Sequence, residues 1–275
     1  MKISTMIRPN ASAGADDRLM EQMTGYARRI EAAGFPGIWV GDSLGRGRPT
    51  LDPLIELSIF AAVTSRVELG ISVLQIPLRH PIELAHRVQS VQVLSGNRLR
   101  LGVGSGSTRA DFDLLGYDYD HRFGTMERSL ETMRRTWRGE PTNEGGVLSR
   151  WKGCEGGPPI LMGAWRSPRW ITFAAEECAG WTPSGRYSSW DDLEHGMKIY
   201  RAAGGTNAVL ANVAIDLAGR PGSEGLAEVA TSLVCAPDEA RARLKRMEQL
   251  GFDEVCLVSP TSVLEDLERA RDMLR

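Results

Sequence analysis

Residues 67–106 read VELGISVLQIPLRHPIELAHRVQSVQVLSGNRLRLGVGSG, and this stretch decides the fold. Residues 67–74 are an apolar run rich in β-branched side chains, which predicts a strand. Pro81 then opens a helix whose apolar stripe is Leu84, Ala85, Val88, Val91 and Leu94. Proline suits the first turn, because the N–H it lacks would be unpaired there. Residues 98–103 read as a second strand and lead into Gly104, Ser105, Gly106 and Ser107. Apolar strands on either side of an amphipathic helix predict a parallel pair joined by a right-handed crossover.

The same alternation extends to both ends. Upstream, residues 3–7 and 37–40 read as strands. Asp16 and Asp17 offer an N-cap to a helix bearing Leu19, Met20, Met23, Ala27 and Ile30, and Gly34 closes it. Asp52 and Pro53 open a further helix through Leu54, Leu57, Ile59 and Ala62. Downstream, residues 120–137 carry the helical stripe Met126, Leu130, Met133 and Trp137. Strands are predicted at 159–162, around Trp181, at 209–217 and at 255–258, with helices at 167–178, 190–203, 237–250 and 264–274. Residues 139–157 and 219–225 read as excursions between elements. About eight β-then-α units favour a closed barrel over an open doubly wound sheet, so the expected architecture is α/β, a single (β/α)8 TIM-barrel domain spanning residues 1–275.

Composition narrows the function. The 275 residues are 42% hydrophobic and 25% charged, with a formal net charge of -2. That charge lacks the basic excess of a nucleic-acid binder. No stretch reaches the roughly 18 apolar residues of a membrane span, and the first residues do not resemble a signal peptide. Cys154, Cys178, Cys235 and Cys256 are scattered without a CxxC pair, as in reduced thiols of a cytoplasmic protein. His80 precedes Pro81 at a helix start, and His86, His121 and His195 form no metal-binding spacing, so no metal is expected.

In such barrels chemistry sits just after the strands. Asp42 follows the second strand; it either orients a ring or substrate or caps the next loop. Ser105, Gly106 and Ser107 follow the fourth strand, with amides and hydroxyls suited to a phosphate. Gly163, Ala164, Trp165, Arg166 and Ser167 follow the fifth and lead to a helix N-terminus. Amides, a positive dipole end and guanidinium donors together suit an anion there. The alternative for both loops is plain glycine turns with solvated arginines. Trp39, Trp165 and Trp181 either wall a flat cofactor or pack in the core and rim. A phosphate-ester aldolase or isomerase would need a strand-end lysine, whereas Lys152, Lys198 and Lys245 fall in loop or helix.

The motifs Pro77-Leu78-Arg79-His80-Pro81, Glu83-Leu84-Ala85, Leu94-Ser95-Gly96-Asn97-Arg98-Leu99 and Leu101-Gly102-Val103-Gly104-Ser105-Gly106 resemble the luciferase-like monooxygenase family. The later spacing of Arg122, Glu127 and Trp137 and the segment 237–258 agree with it. The likeness covers nearly the whole chain and is strongest over 67–137. It implies a bacterial-luciferase-like barrel binding coenzyme F420, or alternatively FMN. In that family the end of the third strand lies against the tricyclic ring, often through a bulge with a non-prolyl cis peptide, here expected at Ser72–Val73. The loops after strands four and five hold the phosphate. By position the implied cofactor-binding residues are Asp42, Ser72, Val73, Leu74, Ser105, Gly106, Ser107, Gly163, Ala164, Trp165, Arg166 and Ser167, with Asp42 also the catalytic candidate.

The chain departs from several deazaflavin-using relatives in carrying Ser43 where they carry histidine. The leading expectation is an F420-dependent oxidoreductase acting on a small organic molecule, with an FMN-dependent monooxygenase as the alternative. A non-catalytic ligand-binding barrel is the rival from another class. The deazaflavin's oligoglutamate tail could meet Arg166, Arg169 and Arg186, which otherwise solubilise the rim. The partner expected is a small-molecule substrate, not nucleic acid or membrane, with room for a homodimer.

Overall fold

The computed structural model describes residues 1–7, 18–44, 49–142, 145–220, 223–259 and 264–274. Among them the chain forms β1 (Lys2–Met6), α1 (Arg18–Ala32), β2 (Gly37–Val40), α2 (Pro53–Val63), β3 (Glu68–Gln75), α3 (Pro81–Leu94), β4 (Leu99–Gly104), α4 (Arg109–Leu115) and α5 (Arg122–Trp137). It continues with β5 (Ile160–Met162), α6 (Pro168–Glu177), β6 (Gly180–Trp181), α7 (Trp190–Ala202), β7 (Val209–Ala214), α8 (Glu224–Ala227), α9 (Pro237–Gln249), β8 (Glu254–Val258) and α10 (Leu264–Asp272). The strand order is β6-β5-β4-β3-β2-β1-β8-β7. Parallel bridges Trp181↔Ala208 and Ser184↔Ala211 also join the β6 segment to that of β7. This succession, with β1 beside β8, is that of a (β/α)8 TIM barrel.

Local chemistry sets the helix starts. Asp52 caps α2, accepting from the amides of Leu54 at 2.9 Å and Ile55 at 3.3 Å. Ser189 and Asp192 form a capping box at the start of α7. Gly34 closes α1 with a φ of 76°, a conformation that side chains disfavour. The expected cap at Asp16 and Asp17 lies outside the described residues.

The chain divides into two compact units, one from Met1–Arg8, Ile30–Trp39 and Ile160–Arg275, the other from Pro9–Arg29 and Val40–Pro159. In the first, the strands bury a shared cluster of Met6, Trp39, Leu161, Val209, Ala211, Cys256 and Val258. In the second, β3 and β4 lie so close that a Cβ on Gly102 would stand 2.1 Å from the Ile71 carbonyl oxygen. There Trp137 is fully buried, and its indole N–H donates to the Ala85 carbonyl at 3.0 Å, tying α5 to α3.

Several boundaries shift by one or two residues, and three differences have a structural reason. Arg98 is outside β4; its guanidinium donates instead to the carbonyls of Ser95, Val67 and Thr64, bracing the turns before β3 and β4. β7 ends at Ala214 rather than 217; Ile215 beyond it still donates to the Val258 carbonyl at 3.0 Å and forms a single bridge with Leu233. The short helices α4 and α8 were not foreseen. In α4, Leu114 and Leu115 are exposed, so it carries no apolar stripe to read.

Candidate functional site

In the second unit, the ends of β2 and β3 are fastened together. Asp42 follows β2, and both its carboxylate oxygens accept from the Arg79 guanidinium, at 2.7 Å and 2.9 Å. The Gln75 amide N–H adds a 2.9 Å bond to the same carboxylate. The Gln75 side chain donates to the Asp42 carbonyl at 3.2 Å and to Asp111 at 3.1 Å. Arg79 also lies 3.6 Å from Asp52, the cap of α2. Burial works against the charge of Arg79, but the hydrogen bonds and charges of Asp42, then Asp52, outweigh it and push its pKa up. With its carboxylate so engaged, Asp42 has the geometry of a positioning group rather than of a free acid or base.

The Ser72–Val73 peptide is cis, and the register against β4 shifts between Ile71 and Leu74, in agreement with the bulge expected there. Gly104 makes room for Val73: a Cβ on it would fall 2.6 Å from the valine Cγ2. Ser72 and Leu74 are buried, while Val73 is half-buried.

The turn after β4 is pinned by two residues that the sequence did not single out for it. Arg122 Nε donates to the Gly106 carbonyl at 3.1 Å, and the Tyr119 hydroxyl donates to the Ser107 carbonyl at 3.2 Å. The Arg122 guanidinium lies 3.9 Å from the Tyr119 ring centroid. Gly106 takes φ 80° between two serines, and neither the Ser105 nor the Ser107 hydroxyl is engaged among the described residues. The spacing of Arg122 was visible in the family pattern; its partner at Gly106 was not, since it lies 16 residues away.

In the first unit, Gly163, Ala164, Trp165, Arg166 and Ser167 link β5 to α6. Ala164 is buried, and its carbonyl accepts from the Trp181 indole at 2.8 Å. Ser167 stands at the N-cap of α6 without capping it, unlike Asp52 and Ser189. The Ser167 hydroxyl therefore makes no bond to the first turn of α6. Trp165 stacks on Tyr187 with centroids 4.7 Å apart. Arg166 pairs with Asp192 at 3.0 Å and donates to the Tyr187 carbonyl at 3.3 Å.

The tryptophans thus separate. Trp39 and Trp181 are fully buried core residues, with Trp39 donating to Glu254 at 3.1 Å; the expectation that they could wall a ligand is corrected. Their indole N–H groups find acceptors inside the protein, so their whole surface is used in packing. Trp165 alone of the three is exposed. His80 and His195 are also exposed, the former at the start of α3 without a capping bond. No group of three or more His, Cys, Asp or Glu suited to a metal occurs among the described residues, and no helix there is long and apolar enough to cross a membrane.

The profile of the family described as luciferase-like monooxygenase matches residues 1–217. The chain belongs to the luciferase-like monooxygenase family. Within this luciferase-like family, 4-hydroxyprotoasukamycin monooxygenase of Streptomyces nodosus subsp. asukaensis is 34% identical over 116 residues, 42% of this chain and 31% of that protein. The chain thus matches about a third of that relative's length. The 5,10-methylenetetrahydromethanopterin reductase of Methanolobus tindarius is 27% identical over 87% of this chain and 69% of that protein.

Among solved structures, monooxygenase RslO1 from Streptomyces bottropensis superimposes with a TM-score of 0.81 at 19% identity, covering 100% of this chain and 97% of that one. The oxygenating constituent of 3,6-diketocamphane monooxygenase from Pseudomonas putida, in complex with FMN, gives 0.77 at 16% identity, covering 98% and 96%. The coenzyme F420-dependent tetrahydromethanopterin reductase from Methanopyrus kandleri gives 0.73 at 17% identity, covering 99% and 96%. These likenesses establish the luciferase-like TIM-barrel fold, and the family is one of oxidoreductases that includes both reductases and monooxygenases.

Proposed function

We propose that this luciferase-like oxidoreductase is F420-dependent and moves a hydride between the deazaflavin and a small organic substrate. The observation that carries the reading is the similarity to a methylenetetrahydromethanopterin reductase along 87% of the chain, against 42% for the monooxygenase match. The deazaflavin supplies two-electron hydride chemistry; the protein binds, orients and shields it.

The residues present fit such a group. The half-buried Val73, at the register shift of β3, is the proposed support for the ring, with Ser72 and Leu74 as its neighbours. Ser105 and Ser107 offer unengaged hydroxyls on either side of Gly106, in a turn held by Arg122 and Tyr119. Gly163, Ala164, Trp165, Arg166 and Ser167 precede the uncapped start of α6. We assign both segments to cofactor binding, the Trp165 ring excepted. Asp42 fixes Gln75 and Arg79, so its role is to hold the end of β3 in place. No histidine follows it, since Ser43 occupies that position.

A second reading, an FMN-dependent monooxygenase using reduced flavin and oxygen, is favoured by the higher local identity of the monooxygenase relative, 34% over 116 residues. Calorimetric titration of the purified chain with F420 and with FMN, in one buffer, separates the two. Tighter F420 binding with hydride transfer supports the first. Tighter FMN binding with oxygen-dependent turnover replaces it with the second, and binding of neither removes both.

A further inference from the structure

Resting on the oxidoreductase reading above, we propose that the open face of Trp165 is a stacking surface for a planar aromatic substrate carrying a negative charge, with Arg186 as its counter-charge. Trp165 and Tyr187 are 36% and 44% exposed, yet their rings lie stacked at 4.7 Å and 27°. Two large rings thus stand aligned at the surface, a geometry that a further flat ring can extend by stacking. They follow β5 and β6, at the strand ends where barrels of this class hold their chemistry.

The platform is rigid. Tyr187 belongs to a 3-10 turn, Gly185–Tyr187, whose end closes on the Ser184 carbonyl at 3.2 Å. Thr231 donates to the Gly185 carbonyl at 2.6 Å, and a Cβ on Gly185 would meet Val213 at 2.8 Å. Ser184 is bridged to Ala211 next to that turn. On the other side, Arg166 grips the Tyr187 carbonyl and Asp192. A ring held in advance loses little freedom when a second ring stacks on it, which favours binding.

The charges select the sign. Arg166 is neutralised by Asp192, so it offers no net charge. The exposed Arg186 has its guanidinium 5.8 Å from the Tyr187 centroid and has no carboxylate partner among the described residues. An uncompensated cation beside stacked rings suits a planar molecule bearing a carboxylate or phenolate.

The test uses 2-naphthoate as probe, with decahydro-2-naphthoate as the saturated control and 2-naphthamide as the neutral one. Each is titrated into the full chain by calorimetry without cofactor. The expected result is tighter binding of naphthoate than of either control, and a loss of about tenfold in Trp165→Ala that Trp165→Phe largely restores. Arg186→Gln should remove the preference for naphthoate over the amide, and added salt should weaken that preference in the wild type. Equal binding of the saturated acid, or unchanged naphthoate affinity in Trp165→Ala, overturns the proposal. Cofactor affinity is measured on the same variant; a parallel fall would reassign the stack to the cofactor and overturn the proposal too. Because the probe titrations need no cofactor, failure of the wild type to bind F420 and FMN sinks the oxidoreductase reading separately.

Discussion

Arg79 grips both carboxylate oxygens of Asp42, at 2.7 Å and 2.9 Å, with side chains only 12% and 1% exposed. A buried bidentate pair gains little over an apolar pair of the same shape, but removing one partner strands the other charge. Arg79→Met is therefore expected to destabilise the chain by about 3–5 kcal/mol. Adding Asp42→Asn to that variant should recover part of the loss. Urea unfolding of the two single variants and the double variant checks this; strictly additive effects would show that the pair is not coupled.

The turn after β4 separates packing from binding. Gly106 has φ 80°, and a Cβ there would lie 2.7 Å from Phe112 and 2.9 Å from Gln75. Gly106→Ala should lower stability by at least about 1–2 kcal/mol. The Ser105 and Ser107 hydroxyls are unengaged, so Ser105→Ala and Ser107→Ala should change stability by less than about 0.5 kcal/mol. If these hydroxyls contact the cofactor phosphate, the double variant should still bind it several-fold more weakly. Thermal unfolding beside cofactor titration reads both effects, and unchanged affinity would remove the serines from the site.

What the sequence disclosed follows from what is local. Pro53, Pro81, Pro168 and Pro237 each begin a helix, because the signal lies within the first turn. The strands were legible as apolar runs, and the end of β3 through its family motif. The pairing of Asp42 with Arg79 was not legible, since the two are 37 residues apart and each has several polar neighbours in sequence. Trp39 donates to Glu254 across 215 residues, so the acceptor that settles its indole in the core lies far from it in the chain. The uncapped start of α6 was also hidden: Ser167 is a cap by residue type, and only the structure shows its hydroxyl unused.

Arg220 bridges two acids that differ widely in sequence position, Asp216 at 2.9 Å and Asp266. Burial raises the pKa of Asp216, but the bonds from Ser223, then from the amides of Ala218 and Arg220, outweigh it and hold the carboxyl below its usual 3.8. A depressed folded pKa gives stability that is present above the unfolded value and lost as pH falls through the folded one. Asp216→Asn should thus be less stable than the wild type at pH 7, and the gap should narrow as pH drops below about 4. Thermal unfolding from pH 3 to pH 7 tests this; a gap constant with pH would mean that ionisation of Asp216 contributes nothing.

Glu56 has the opposite sign. It sits in the first turn of α2, 3% exposed, with the charge of Asp52 one turn before it. Burial, then repulsion from Asp52, pushes its pKa from 4.5 up to about 8. Between those values the folded chain keeps a proton that the unfolded chain has released. Stability therefore falls as pH rises, by up to about 1.4 kcal/mol per pH unit, and levels off above the folded pKa. Below the unfolded value both states are protonated and the penalty vanishes. Glu56→Gln keeps the shape without the ionisation, so it should match the wild type near pH 4 and exceed it by about a few kcal/mol near pH 9. Denaturant unfolding across that range decides the matter: parallel curves for the two proteins would mean that Glu56 ionises in the fold as it does in water.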